Sequence, residues 1–463
     1  MTTINRWSQR LFQPVDIASL AMFRILFGGV MFAGTVRFMV SGWIDTLFIQ
    51  PRHYLKYAGF EWVQPWPEEG MLLHYAAIAV AALFVSLGLF YRASALAFLV
   101  LFTYAQLIDI SNYLNHYYLV VLLAGLLLVL PAHRAMSLDV WRKPELRTNQ
   151  VPAWCVYLLR FQVAVVYAYA ALAKFNPEWL LHAQPLTLWM RARVHVPVIG
   201  PWLDQLWLAY VMSWAGFLYD SLIVVFLMMK RTRVYAYSVV LLFHGMTYVF
   251  FDIGMFPFIM STATLIFFSP AWPRVLVARL RGLAPPTLNI RPLSKASNPV
   301  RNQPWVVAAL AAYVVVQVFV PLRHFAYPGD VLWNEQGMRY AWKVLVREKN
   351  GSLTYHVHER RTGRRYQVSA YDYLTWRQVS EMAGQPDLIL QLAHVVARDL
   401  EVKGRGPVEV YADALVSLNG RRAQRLVDPT VDLSGVRDGL GNAAWILPGP
   451  TDTITRHRQW VRR

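Results

Sequence analysis

The stretch LRFQVAVVYAYAALAKFNPEW, residues 159–179, combines an apolar run of helical length with a few widely spaced polar side chains. Arg160, Tyr167 and Lys174 follow one another at intervals of seven residues. They therefore lie near one stripe of a helix, with a drift of ~20° per heptad. The run ends at Asn176-Pro177, where a helix normally stops. Because a charged stripe is costly against lipid, the sequence predicts a membrane-spanning helix whose polar stripe faces the interior of a bundle.

Lys174 has two interpretations at this point. A lysine at a helix end can extend its amine to the lipid headgroups while its methylene chain stays in apolar surroundings. Alternatively, the amine is buried, where desolvation disfavours its charged form, as a lysine that acts as a general base requires. The residues alone leave both interpretations open.

The composition indicates a polytopic membrane protein with an aqueous part. Of the 463 residues, 56% are hydrophobic and only 16% are charged, which is unusual for a soluble domain. The net charge of +18 is first of all a topology signal, and no fold signature for nucleic-acid binding accompanies it. Cys155 is the only cysteine, which excludes an intramolecular disulfide and a cysteine-ligated metal site. Since no other metal-ligand spacing occurs, we predict no metal.

Nine apolar runs approach the length of about 20 residues that a helix needs to cross a bilayer core. They occupy residues 17–37, 71–91, 93–110, 117–131, 153–174, 207–229, 234–251, 253–268 and 305–322. These runs predict a polytopic α-helical membrane domain over residues 1–322, with about eight to nine transmembrane helices.

The distribution of cations predicts the orientation. Inner loops carry Arg92, Arg134 and the KRTR turn at 230–233, whereas outer loops are poorer in cations or offset them with carboxylates. The positive-inside rule then places the N-terminus in the cytoplasm, and an odd number of spans leaves the tail outside. We expect a bacterial inner membrane with a periplasmic tail. An internal eukaryotic membrane with a lumenal tail is topologically equivalent.

The tail, residues 323–463, is predicted to form a small extracytoplasmic α+β domain. Its alternating stretches at 338–347, 353–360 and 364–371 are typical of strands. KNGS at 349–352 is predicted to be a hairpin turn, residues 375–399 an amphipathic helix, and residues 406–420 a further strand or hairpin.

Polar residues within or beside the spans are candidates for function. Asn115 and His116 begin the fourth span, His244 lies within the seventh, and Asp252 follows it. Each has a structural alternative: a helix cap, an interfacial histidine or a satisfied core histidine. Asp220, in the sixth span, is predicted to form a structural ion pair with Arg160. The topology places His116, Lys174 and Asp252 at the same face, as a single site requires.

Six motifs in order resemble the vitamin K-dependent gamma-glutamyl carboxylase family, whose membrane part is also called the horizontally transferred transmembrane (HTTM) domain. They are QPVDIASLAMFRILFG (13–28), NHYYL (115–119), the 159–179 stretch quoted above, GFLYDS (216–221), FHGMTYVFFDIGMF (243–256) and GDVLWNEQGMRYAW (329–342). RLVDPTVDL (425–433) matches further on. Two departures are the single cysteine, where vertebrate members carry a disulfide, and Ala173-Lys174, where they carry two lysines.

The resemblance implies a reaction of reduced vitamin K, a menaquinol or phylloquinol, with O2 and CO2. A base takes the proton of the quinol, and addition of oxygen gives an alkoxide that removes the γ-hydrogen of a peptidyl glutamate. The carbanion captures CO2, and the quinone epoxide leaves.

The resemblance also implies residue roles. Lys174 is expected to be the catalytic base, with Asn115 and His116 as further catalytic residues. The side chains expected to bind the quinol are Tyr167, His244, Met255 and Phe256. Those expected to bind the glutamate-containing peptide or protein substrate are Trp333, Tyr340 and Trp342.

Two alternatives stay open. The protein oxidises a quinol but acts on another carbon acid or on none, or it is a non-catalytic quinol-binding or transport protein. Against transport, no internal repeat or pair of broken helices is evident. The sequence makes no prediction of the oligomeric state.

Overall fold

The structure, a computed structural model, describes residues 10–251, 253–284 and 304–451. The larger helices in these ranges are α1 (Ala18–Val40), α2 (Glu68–Leu87), α3 (Tyr91–Leu107), α4 (Asn115–Val129), α5 (Trp154–Lys174), α6 (Leu206–Met228), α7 (Arg233–Phe250), α8 (Phe256–Ala263), α9 (Trp272–Leu280), α10 (Pro304–Phe319), α11 (Trp376–Met382) and α12 (Pro386–Val402). The strands are β1 (Pro14–Asp16), β2 (Gln150–Pro152), β3 (Lys349–Glu359), β4 (Arg365–Ser369), β5 (Val408–Leu418) and β6 (Gln424–Arg425).

Each of the nine predicted apolar runs contains a helix. In the described ranges, five helices are long and apolar enough to cross a membrane. They are Ala18–Val40, Glu68–Leu87, Trp154–Lys174, Leu206–Met228 and Pro304–Ala326. Asn115–Val129 and Phe256–Phe267 are apolar but shorter. The mostly helical membrane character is therefore confirmed, and the count of eight to nine crossings stays a prediction.

The end of α5 follows from the Asn-Pro signal. The Asn176 side chain donates to the carbonyl of Ala173 at 2.8 Å and accepts from the backbone N–H of Trp179 at 2.9 Å. Asn176 thus caps a short helix, Pro177–His182, whose first position suits proline. The chain turns immediately after Lys174, and Trp179 returns to its side.

The C-terminal region folds as a four-stranded antiparallel sheet with strand order β4-β3-β5-β6. The helix α12 packs on β5, and the hydroxyl of Tyr355 on β3 donates to the Ile389 carbonyl at 2.7 Å. The prediction that a small region of strands and helices follows the membrane helices is therefore confirmed.

Two predictions for the C-terminal region are wrong in detail. KNGS lies inside β3, where Lys349 pairs with Leu418 and Ser352 with Leu415 on β5. The turn between β3 and β4 comes instead at 360–364. The predicted helix at 375–399 is two helices, α11 and α12.

The predicted strand at 338–347 is also wrong, because this segment is irregular. Tyr340, Trp342 and Leu345 have φ angles of 64°, 55° and 54°. This left-handed backbone is incompatible with a strand and uncommon for bulky side chains. The alternation of apolar residues reflects burial against the membrane helices, since Trp342 belongs to their hydrophobic core.

The C-terminal region covers the end of the bundle at which Lys174 lies. Its hydrophobic core extends beyond its own residues to include Leu55, Ile110, Ala173, Trp179 and Leu186. Ala173 lies at the end of α5 and the others lie in the connections that follow the membrane helices, so the sheet and the end of α5 share one core.

Candidate active site

Lys174 and Asp220 form a buried pair between α5 and α6. The Lys174 amine donates to Oδ2 of Asp220 at 2.7 Å, and both side chains are only 6% exposed. The same amine lies 5.3 Å from the centroid of the Trp179 ring. The snorkelling interpretation of Lys174 is therefore wrong, because the amine points into the protein.

The predicted ion pair between Arg160 and Asp220 is wrong. Arg160 donates to the carbonyls of Ile266 and Phe268, each at 2.8 Å. Arg160 lies fourteen positions before Lys174 in α5, a distance of ~21 Å along a helix. Arg160 therefore binds carbonyls near the opposite end of α5, and Asp220 pairs with the lysine.

Tyr167, Tyr219 and His244 form a hydrogen-bonded cluster beside this pair. The Tyr167 hydroxyl lies 3.1 Å from Nε2 of His244 and 3.2 Å from the Tyr219 hydroxyl. Nδ1 of His244 is buried and has no hydrogen-bond partner among the described residues. A buried imidazole nitrogen without a partner is uncommon, which marks His244 as a candidate functional residue.

One cavity is lined by the pair, Lys174 and Asp220, and by two members of the cluster, Tyr167 and His244. Apolar side chains form most of the wall: Val166, Leu186, Trp189, Met212, Phe243, Phe251, Ile253, Phe256, Met260, Val344 and Leu345. Val344 and Leu345 come from the irregular 338–347 segment, so the C-terminal region helps to close the cavity. An apolar pocket with a few converging polar groups suits a flat, lipid-soluble ring that carries hydroxyls.

His116 and Met255 line an adjoining second cavity. His116 is 7% exposed and makes no hydrogen bond within the described ranges. The Phe256 ring lies between the cavities, its centroid 6.1 Å from the ring of His116 and 6.0 Å from that of His244. The structure therefore brings Lys174, Tyr167, His244 and Phe256 together and places His116 across the Phe256 wall.

Asn115 is held by a chain of contacts to the C-terminal region. It accepts a hydrogen bond from the Tyr113 hydroxyl at 3.0 Å, and that hydroxyl accepts from the backbone N–H of Tyr340 at 2.8 Å. Asn115 is absent from the walls of both cavities. Asp252 lies outside the described residues.

Two of the three predicted substrate-binding residues are part of the protein core. Trp333 is 1% exposed and Trp342 is 0% exposed. Trp333 donates to the Leu447 carbonyl at 2.9 Å, and the Trp342 ring packs 5.0 Å from that of Tyr118. Burial leaves little of either side chain free to contact a peptide, and their role in substrate binding stays a prediction. Tyr340 is half-buried, and its role in substrate binding stays a prediction.

Sequence reasoning missed Tyr219, Trp179 and the segment 344–345 as parts of the site. Tyr219 directly precedes Asp220 in the GFLYDS motif, and this adjacency to a candidate residue was the signal that could have identified it. Contacts between separate helices leave no periodic trace in one sequence, so neither the Lys174–Asp220 pair nor the contribution of Val344 and Leu345 was predictable.

Comparison with known families matches two successive parts of the chain. Residues 12–272 match the family model described as HTTM domain. Residues 302–452 match the model described as vitamin K-dependent gamma-carboxylase, lumenal domain. No solved structure matches the chain. The first match covers the α5–α7 walls of the cavity, and the second covers the segment that closes it.

Proposed function

Since the chain belongs to the vitamin K-dependent gamma-carboxylase family, we propose that it is a quinol-dependent carboxylase whose reaction begins at Lys174. The observation that carries the proposal is the buried Lys174–Asp220 pair in an apolar cavity at one end of the membrane helices. The proposed substrate is a glutamate-containing peptide or protein, with O2 and CO2 as co-substrates.

The residues of the cavity fit a reduced vitamin K, a menaquinol or phylloquinol. Aromatic and aliphatic walls match the ring, while His244 and the Lys174–Asp220 pair supply polar partners for its hydroxyls. When bound, this group supplies with O2 a base strong enough to remove the γ-hydrogen of a glutamyl residue, which then takes up CO2.

The residues of the chain supply proton transfer, orientation and exclusion of water. Lys174, with Asp220 beside it, takes a hydroxyl proton, and the Tyr167–His244 hydrogen bond orients the ring. Phe256, Val344 and Leu345 keep water out, which strengthens electrostatic interactions and protects a carbanion from protonation. His116 is proposed to act on the carbon-acid side, beyond Phe256, with the adjacent Asn115 as a further catalytic residue.

We further propose that the N-terminus is cytoplasmic and the C-terminal region is periplasmic, in a bacterial inner membrane. The alternation of cationic loops supports this orientation.

The test is quinone epoxide formation by the purified protein in detergent, supplied with menaquinol or phylloquinol and O2. We expect wild-type activity, its loss in Lys174→Ala, and partial rescue of that variant by an added primary amine. Lys143→Ala, at an exposed lysine, is the matched control. A folded wild type that forms no epoxide with any quinol would contradict the proposal and favour a non-catalytic quinol-binding protein.

A second candidate is a family member that oxidises quinol without carboxylating glutamate. The burial of Trp333 and Trp342 favours it, because these side chains cannot contact a peptide while they fill the core. Epoxide formation without incorporation of labelled CO2 into any glutamyl peptide would support this candidate.

A further inference from the structure

The geometry of the Lys174–Asp220 pair raises a question about where a quinol proton goes. The carboxylate at 2.7 Å and the Trp179 ring at 5.3 Å both stabilise the charged form of the amine. An ammonium has three N–H donors and no acceptor. In this pair Lys174 therefore accepts a proton only if it gives one away.

Asp220 is the group to which that proton can go. Its single hydrogen bond comes from Lys174 to Oδ2, and Oδ1 accepts none from the described residues. Lys174 and Asp220 are the only charged residues among the described side chains that line the cavity. The other titratable groups there are Tyr167 on α5 and His244 on α7, with Tyr219 of α6 bonded to them.

We propose that the base is the Lys174–Asp220 pair, with Asp220 as the final proton acceptor. As the quinol O–H breaks, its proton forms a new N–H bond at Lys174, and a Lys174 proton moves along the 2.7 Å hydrogen bond to Oδ2 of Asp220. The products are a quinolate, an ammonium and a neutral carboxylic acid, so protons and charge balance. This inference rests on the proposed function, because it requires that a quinol is deprotonated here.

Charge separation in the cavity favours this assignment. At rest the pair is neutral as a whole, so the apolar cavity carries no net charge. After the transfer, the ammonium of Lys174 lies beside the negatively charged quinolate, and the protonated Asp220 carries no charge. Opposite charges at close range are the arrangement that costs least in a medium of low dielectric constant.

The test is the pH dependence of epoxide formation in wild type and Asp220→Asn. As the pH falls, an amine becomes protonated before a carboxylate beside an ammonium does. The pair can therefore still accept a proton at a pH at which an isolated lysine cannot. We expect the acidic limb of Asp220→Asn to move to higher pH. The rate at pH 7 should fall by about tenfold or more, since one pH unit is a factor of ten in the active fraction.

The alternative, a lysine that acts alone, predicts the opposite sign. Removing the carboxylate would then release the amine from its ion pair, move the acidic limb to lower pH and raise or preserve the rate at pH 7. That result, or an unchanged limb, overturns the proposal and leaves the proposed function intact. A wild type without epoxide formation overturns both. Asp204→Asn is the matched control, since Asp204 is exposed and pairs with Arg191 outside the cavity.

Chemical rescue gives a second measurement. It distinguishes loss of the proton acceptor from loss of stability, which could also lower the rate of Asp220→Asn. In Asp220→Ala, added formate should occupy the vacated space and restore part of the rate at pH 7, whereas a primary amine should not. In Lys174→Ala the preference should be reversed. Rescue of Asp220→Ala by neither compound, in a folded protein, assigns Asp220 a structural role and contradicts the proposal.

Discussion

At the scale of single residues, the site depends on a pair of opposite charges buried at one end of a helix bundle. Lys174 is the last residue of α5, and Asp220 lies about two-thirds along α6. Burial of either charge without its partner is expensive, whereas a neutral replacement of both is tolerated. Stability and function therefore place different demands on these residues.

A double-mutant cycle separates those demands. Lys174→Met or Asp220→Asn alone leaves one buried group unpaired, and each is expected to lower the free energy of unfolding by about 3–5 kcal/mol. The double variant should recover most of this loss, because no unpaired charge remains, yet form no epoxide. Thermal unfolding followed by tryptophan fluorescence measures the cycle. Additive losses in the double variant would contradict a direct interaction.

Phe256 is predicted to keep the two cavities apart. Phe256→Ala removes the ring between His116 and His244, so water and substrate can pass from one cavity to the other. We expect the ratio of epoxide formed to CO2 incorporated to rise several-fold. The matched control is Phe258→Ala on the same helix, where the side chain is exposed. An unchanged ratio in Phe256→Ala would show that the wall has no role in coupling.

Individual polar residues were predictable to different degrees. The seven-residue interval of Tyr167 and Lys174 indicated a buried stripe, and both side chains are buried. The partner of Asp220 was not predictable, because Arg160 and Lys174 lie on the same stripe and only the depth of Asp220 in the bundle decides between them. His116 was placed correctly at a helix start, but the Phe256 ring between it and Lys174 depends on packing.

At the scale of elements, the 338–347 segment connects the C-terminal region to the cavity. Its left-handed residues turn the chain so that Trp342 packs in the hydrophobic core of the helix bundle and Leu345 reaches the cavity wall. The backbone should tolerate the substitution Leu345→Asn, since asparagine adopts positive φ more readily than leucine.

The amide of Leu345→Asn would face an apolar wall, and we expect the quinol KM to rise by about tenfold, which corresponds to ~1.4 kcal/mol of lost binding. Steady-state epoxide formation at varied quinol concentration measures it. Leu415→Asn, at an exposed position on β5, is the control. An unchanged KM would mean that the segment does not contact the ring.

A cluster around Lys349 holds this segment and gives a pH-dependent stability. Lys349 donates to the Trp333 carbonyl at 2.5 Å and to Glu335 at 3.1 Å. Burial lowers the pKa of the Lys349 ammonium from 10.5 to about 8. Between these two values the unfolded lysine binds a proton that the folded one has lost, so stability rises with pH in this window.

Lys349→Met should remove this contribution. The melting temperature of wild type minus that of Lys349→Met is expected to increase between pH 8 and pH 10.5. Lys403→Met, at an exposed lysine, should show no such trend. A difference that is flat or falls with pH would contradict a lowered pKa at Lys349.

Helices and the regular strands were predictable because each has a periodic pattern. Each apolar run overlaps a helix of the structure, and β5 lies inside the predicted 406–420 strand region. The 338–347 segment was not predictable, because its alternating side chains pack against another part of the chain rather than in a sheet. The pattern of apolar residues indicates which side chains are buried, but it does not indicate which element they pack against.

At the scale of the whole molecule, three loops predicted for the same side of the membrane meet the C-terminal region. The backbone N–H of Lys56 donates to Gln391 at 2.9 Å, Gln378 donates to Asp109 at 2.7 Å, and Trp189 donates to Glu348 at 2.6 Å. These loops alternate with the cationic ones along the chain. The cavity, which Val344 and Leu345 help to line, therefore lies at the end of the bundle that the C-terminal region covers.

The measurement that tests this account most directly is a count of both products in one reaction. Wild-type protein would receive reduced quinol, O2, labelled CO2 and a glutamyl peptide, and epoxide and incorporated label would be quantified together. We expect label in the peptide only when reduced quinol is present, in proportion to epoxide, and neither product from Lys174→Ala. Label without epoxide, or equal products from Lys174→Ala, would contradict a quinol-driven carboxylation that begins at Lys174.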